Sequence, residues 1–291
     1  MTLSGVPDAA PLGGPAPLID VHAHFLHADC GRAGWAAVNE ARFRAGERIG
    51  IGCHVASILG TWGHRSPTYF PSPHDVSLGN DAMIALQERE GHRVRGYVVV
   101  NPNHTGHALA EIDRGVSRGL VGVKLLASRR ADDPLLDPVL DLAAEHGLPM
   151  LHHVWQHRTR SWPNQDISDG TDLGRLAGRH PDVPCILAHI GGGGDYAHTF
   201  AAVADIPNVY LDLSGSGVDR GMLDDALAAV GPQRLLWGAD VTLETGLAKL
   251  WALDVIGLDD EELAAIRWRN AMGIFPPGTF PMIVQAAGSA G

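Results

Sequence analysis

Eight short apolar or β-branched runs are separated by longer stretches of helical periodicity, and this alternation restricts the chain to repeated βα units around a parallel sheet. The runs are residues 18–24, 54–60, 94–101, 121–126, 149–154, 184–190, 209–214 and 234–240. Helical periodicity covers 105–118, where Leu109, Ile112 and Val116 recur on one face, and 135–146, which stops at Gly147. Further helices are expected over 172–179, 222–230 and 259–272. Eight strands with intervening helices fit a (β/α)8 TIM barrel, for which about 250 residues is an ordinary length. The rival, a doubly wound open sheet, calls for a Gly-rich turn after its first strand. This chain has His22-Ala23-His24 there.

Composition excludes several classes of partner. The 291 residues carry 22 Lys plus Arg against 33 Asp plus Glu, a net charge of −11. Only Lys124 and Lys249 are lysines, and the basic residues are scattered, which argues against nucleic acid and anionic membranes as partners. With 45% hydrophobic residues and a mean hydropathy near zero, the chain can bury a large core. Cys30, Cys53 and Cys185 are odd in number and widely spaced, as expected of reduced thiols in a cytoplasmic protein. Residues 1–17 have neither a basic residue nor an apolar stretch and read as a loose tail, not a leader or an anchor. The barrel is expected over 18–276 and a second tail over 277–291, with the Pro-rich stretch 66–73 as a long loop and candidate lid.

The chain holds sixteen histidines, and several fall at the ends of the expected strands, where a barrel builds its site. His22 and His24 are two apart and project to one side. His152 and His153 end the fifth run, and only one of an adjacent pair should face the mouth; His153 is our choice. His189 ends the sixth run beside the glycines 191–194, and Asp240 ends the eighth, where an unpartnered buried carboxylate would be costly. Neutral imidazoles with one carboxylate suit zinc or a neighbouring divalent ion. The bland alternatives are polar strand ends for the histidines and a helix N-cap for Asp240.

This set, His22-Ala23-His24, His153, His189 and Asp240, resembles the amidohydrolase superfamily, and more narrowly the amidohydrolase-related branch that contains aminocarboxymuconate semialdehyde decarboxylase and related lactone hydrolases. The resemblance runs from Leu18 to Pro276. It implies a distorted (β/α)8 barrel holding one divalent metal, zinc first and manganese as an alternative, on His22, His24, His153 and Asp240, with His189 beside the reacting group. Relatives in that branch are often dimers, so a homodimer is the assembly it implies. It usually has Ser before the final aspartate, where this chain has Ala239, so a supporting hydrogen bond is expected to be missing. Lys124 stands where binuclear members carry a carbamylated lysine; its other readings are a contact to a substrate anion and a structural ion pair.

The main expectation is therefore a hydrolase that cleaves an amide, ester or lactone bond in a small carboxylated substrate, with Asp240 and His189 moving protons. The alternatives are a non-oxidative decarboxylase of an aromatic or unsaturated acid, and a metal-free lactone hydrolase or ligand-binding barrel. Lys124, His64, Arg65, Tyr69, Trp155 and Arg158 are the candidates for substrate contact, because cations pair with carboxylates and aromatic rings stack on planar groups. Trp62 and His157 stand in the same two loops.

Overall fold

The computed structural model describes residues 17–156, 162–190, 195–215, 221–241, 243–281 and 283. Eight parallel strands follow one another in chain order: β1 (Leu18–His24), β2 (Ile51–Ser57), β3 (Val94–Val100), β4 (Gly122–Leu125), β5 (Met150–His152), β6 (Cys185–Leu187), β7 (Val209–Asp212) and β8 (Leu235–Leu236). Between them lie α1 (Trp35–Arg48), α2 (Pro73–Glu90), α3 (Thr105–Ser117), α4 (Asp137–Glu145), α5 (Gly170–Arg179), α6 (Tyr196–Val203) and α7 (Met222–Val230). After β8 come α8 (Leu243–Leu253), then α9 (Asp260–Ala264), which passes through a π-helical stretch into α10 (Asn270–Ile274). The fold is a (β/α)8 barrel in a single domain.

All eight expected runs form strands, with two instructive differences. β2 begins three residues earlier than 54–60, because Gly52, which reads as a turn residue, sits in the strand where a Cβ would lie 2.8 Å from Ile283. β8 is only two residues long because the chain beyond it meets β1 through isolated bonds: the Val21 amide donates to the Trp237 carbonyl (3.1 Å) and the Asp240 amide to the His22 carbonyl (2.6 Å). Those bonds close the seam between β8 and β1.

The seam is shaped by a bulge. Pairing with β2 advances two residues from His54 to Ala56 but three from Asp20 to Ala23. An extra residue in one strand breaks the strict alternation of faces and re-aims side chains. Val21 accordingly packs in the cluster with Tyr97, Leu151 and Ile186, and the next residue, His22, meets Lys124 and Asp212 across the barrel. Asp20 is left among His54 and Arg42 of α1, although simple alternation would group it with His22.

The apolar strands supply two large clusters. One joins the strands to the surrounding helices; the other, from Ile19 and Val55 to Phe275, packs against the segment after α10. Phe280 and Ile283 are buried in it, so the stretch read as a tail from residue 277 is packed at least as far as Ile283. No helix among the described residues is long and apolar enough to cross a membrane.

Cys30, Cys53 and Cys185 are free and buried. Burial pushes the Cys53 and Cys185 thiols up to about 12, and a thiol reagent attacks only the thiolate. An aromatic disulfide reagent is therefore expected to titrate none of the three quickly in the native protein and all three in denaturant. Rapid native labelling of Cys53 or Cys185 would contradict this packing.

Candidate metal centre

Three donor atoms crowd together at the mouth beside the seam. His22 Nε2 and His24 Nε2 are 3.1 Å apart, and Asp240 Oδ1 lies 3.2 Å from His24 Nε2 and 3.8 Å from His22 Nε2. His189 closes the group, with Nδ1 3.4 Å from Asp240 Oδ2. One donor each from His22, His189 and Asp240 falls within 4.8 Å of the others. The backbone is bent for this purpose: His189 and Asp240 have φ of 65° and 55°, a left-handed conformation that costs a residue with a Cβ about 1–3 kcal/mol. Asp240 is pinned there by its amide bond to His22 and by Arg42 Nη1, which donates to its carbonyl at 2.5 Å.

The imidazoles are prepared as ligands. His22 Nδ1 faces Asp212 Oδ2 at 2.6 Å and Ser214 Oγ at 3.1 Å, and His24 Nδ1 faces the carbonyl and hydroxyl of Ser57. With the Nδ1 protons so held, both Nε2 lone pairs point at each other and at a carboxylate, an arrangement that a cation among them stabilises; of the two, His22 Nε2 has Lys124 Nζ beside it at 3.0 Å. Burial lowers the basicity of His22, His24, His153 and His189, the last to about 4, so all four are neutral near neutral pH. Burial opposes ionisation of Asp240 too, but the imidazoles of His189, His24 and His22 hold its carboxyl well below the usual range. This donor set fits a divalent metal.

Asp212, Ser214 and Lys249 were not picked from the sequence. The signal was an acid and a hydroxyl two apart at the end of the seventh run, where alternation sends both to one side. Lys249 of α8 donates to the carbonyls of Ser214 (2.8 Å) and Gly215 (2.7 Å) and so anchors the turn that carries Ser214. Ser214 Oγ also lies 3.4 Å from His189 Nδ1, and it supplies a hydroxyl beside the site in a chain that has Ala239 before Asp240. Carboxylates that orient a ligating histidine contribute about 10–100-fold to metal affinity. Asp212→Asn is expected to lose affinity in that range while staying folded, measured by competition with a chelating dye; unchanged affinity would deny the pairing any part in binding.

Of the other candidates, His153 follows β5 and packs beyond His189, its Nδ1 3.0 Å from His189 Nε2. Its own Nε2 is buried with no hydrogen-bond partner. His152 Nδ1 is held by the His153 carbonyl at 2.8 Å, and its Nε2 is likewise buried and unbonded. Lys124 is fully buried on β4 with Nζ 3.0 Å from His22 Nε2, and burial lowers it to about 8.

Three aromatic rings wall the cluster: Trp62 edge-on to His24 (5.5 Å), Tyr69 tilted on His153 (4.9 Å) and Trp155 stacked on His189 (5.5 Å). His64 and Arg65 are exposed, and Arg65 is engaged by Asp29 at 3.0 Å, so no ring contact or hydrogen bond joins either to the imidazoles. His157, Arg158 and the glycines 191–194 lie outside the described residues.

A family model described as amidohydrolase matches residues 19–276. The chain belongs to the amidohydrolase family. No functionally curated protein matches this amidohydrolase, but many solved structures do. A putative amidohydrolase from Staphylococcus aureus is 17% identical, with TM-score 0.68, over 89% of this chain and 99% of its own. A 2,6-dihydroxybenzoate decarboxylase from Rhizobium is 15% identical, with TM-score 0.68, over 89% and 98%. A dihydroxybenzoic acid decarboxylase from Polaromonas, solved with manganese and 2-nitroresorcinol, is 16% identical, with TM-score 0.66, over 89% and 96%.

Proposed function

We propose that this amidohydrolase is a metal-dependent carboxy-lyase that removes carbon dioxide, without an oxidant, from a planar aromatic or unsaturated carboxylic acid. The observation that carries the reading is the ring of Trp62, Tyr69 and Trp155 around neutral imidazoles and one carboxylate, a slot suited to a flat acid. His22, His24 and Asp240 would hold the ion, with His153 or His189 completing the set. Manganese is the first ion to supply, given the Polaromonas relative, and zinc the second.

When bound, the ion neutralises the acid's charge and fixes its orientation. The chain does the rest. Trp155 and Tyr69 hold the plane of the substrate, while His189 and Asp240, 3.4 Å apart, relay toward the substrate carbon a proton drawn from water. The carbon–carboxylate bond breaks, carbon dioxide leaves, and the electron pair of that bond stays on the substrate carbon, which takes up the relayed proton. Asp240 is also 15% exposed and so within reach of water, which favours hydrolysis of a lactone or ester as the second reading.

The test incubates manganese-supplied protein with hydroxybenzoic and methoxybenzoic acids and, separately, with lactones. The expected result is carbon dioxide released in step with loss of an aromatic acid, reduced by about two orders of magnitude or more in Asp240→Asn. Acid formation from a lactone, with no carbon dioxide from any acid, would replace this reading by hydrolysis.

A further inference from the structure

A cleft of about 490 Å³ runs between α1 and α8, within the roughly 300–1,000 Å³ of ordinary ligand sites. At the barrel mouth it meets His24, Trp62 and Val241; at its other end it meets Arg48 and Ile49, where α1 finishes. The fourteen residues of α1 make that path about 21 Å long at 1.5 Å per residue. Its walls are aliphatic, among them Leu26, Leu243 and Leu247, and Val38 and Val241 leave 55% and 59% of their surface exposed along it.

The charge in this cleft is one-sided. Among the described residues three arginines line it and no carboxylate does, in a chain of net charge −11. Arg42 is committed to Asp20 and to the Asp240 carbonyl. The side chains of Arg32 and Arg48 have no hydrogen bond or ion pair to a described residue, and among the described arginines they are the only ones of which that is true. They stand on either side of α1, one before its first turn and one at its last residue. Arginine left free of carboxylates at both ends of an apolar cleft is poised for bidentate pairing with an incoming anion.

We infer that this cleft holds the non-reacting body of the substrate, an elongated acid with an apolar middle and an anionic group at each end. One end lies at the mouth beside His24 and Arg32, and the chain follows α1 to Arg48. The assignment of the mouth end to the reacting group rests on the carboxy-lyase reading; the cleft's affinity for such an acid does not.

Calorimetric binding to the purified protein, with and without added manganese, tests it using dodecanedioate, dodecanoate, butanedioate and dodecyltrimethylammonium. Dodecanedioate is expected to bind about tenfold tighter than dodecanoate, the worth of one further guanidinium–carboxylate pair. Butanedioate and the ammonium are expected not to bind. Ala45→Trp, which fills the cleft, should abolish binding. Arg48→Glu, a surface change that leaves the core untouched, should reduce dodecanedioate to the affinity of dodecanoate. Equal binding of the ammonium, no binding of dodecanedioate, or unchanged affinity in a folded Ala45→Trp or in Arg48→Glu would overturn the inference. If dodecanedioate binds as expected while no acid releases carbon dioxide, the carboxy-lyase reading falls and the cleft stands.

Discussion

A double variant, His22→Ala with His24→Ala, is expected to purify with less than about a tenth of the metal that the parent carries, because it removes the two donors whose Nε2 atoms face each other at 3.1 Å. Asp240 remains with His189 and, behind it, His153, but without the facing pair they are a poor cage for a divalent ion in a site that also holds Lys124. The measurement is elemental analysis of protein purified without a histidine tag, after manganese and zinc have been supplied in turn. His64→Ala is the control: an exposed histidine that should leave the metal content unchanged. Circular dichroism checks that the double variant folds. Parent-level metal in it would mean that the ion is held elsewhere.

The largest loss of stability is expected from Asp20→Ala. Asp20 is fully buried, and four donors converge on its two oxygens: the His22 amide (3.2 Å), the Ala239 amide (2.9 Å), Arg42 Nη2 (3.0 Å) and His54 Nδ1 (2.8 Å). Those donors belong to β1, the segment after β8, α1 and β2, so one carboxylate ties the barrel's closing seam to its neighbours. Removing one partner of a buried pair leaves the other charge uncompensated and costs about 3–5 kcal/mol. Arg42 would be that charge, and its second bond to the Asp240 carbonyl would lose its anchor. Asp20→Asn keeps the shape and some hydrogen bonds, so it should fall between parent and Asp20→Ala. Urea denaturation with an unchanged slope reads the difference; a loss under about 1 kcal/mol in Asp20→Ala would show that the network is dispensable.

The fold was legible because each strand of a buried parallel sheet is a near-continuous apolar run, and eight such runs stand apart in this chain. Their ends were less so. Gly52 hid the start of β2, since only Ile283, far along the chain, explains a glycine there. The site divided in the same way. His22, His24, His189 and Asp240 could be picked because a polar residue ending an apolar strand stands out, and the structure brings them together. Asp212 and Ser214 look no different from any acid and serine after a strand until His22 is seen 2.6 Å from the carboxylate. Asp20 was hidden for a geometric reason: period-two alternation groups it with His22, and only the bulge sends it to the opposite side. Loop residues were the weakest ground. Tyr69 and Trp155 meet the imidazoles, whereas Arg65, chosen by the same chemistry, is engaged by Asp29.

The two lysines are 1% and 2% exposed, and the chain has no others. Every remaining cationic side chain apart from histidine is arginine, so the folded surface presents no side-chain amine to a reagent. Succinimidyl esters, amine-coupled sensor chips and lysine-directed cross-linkers should therefore find almost nothing to grip until the barrel opens. Conversely, a lysine adduct found by mass spectrometry on native protein would report on the mouth of the barrel alone, with no background from outside it.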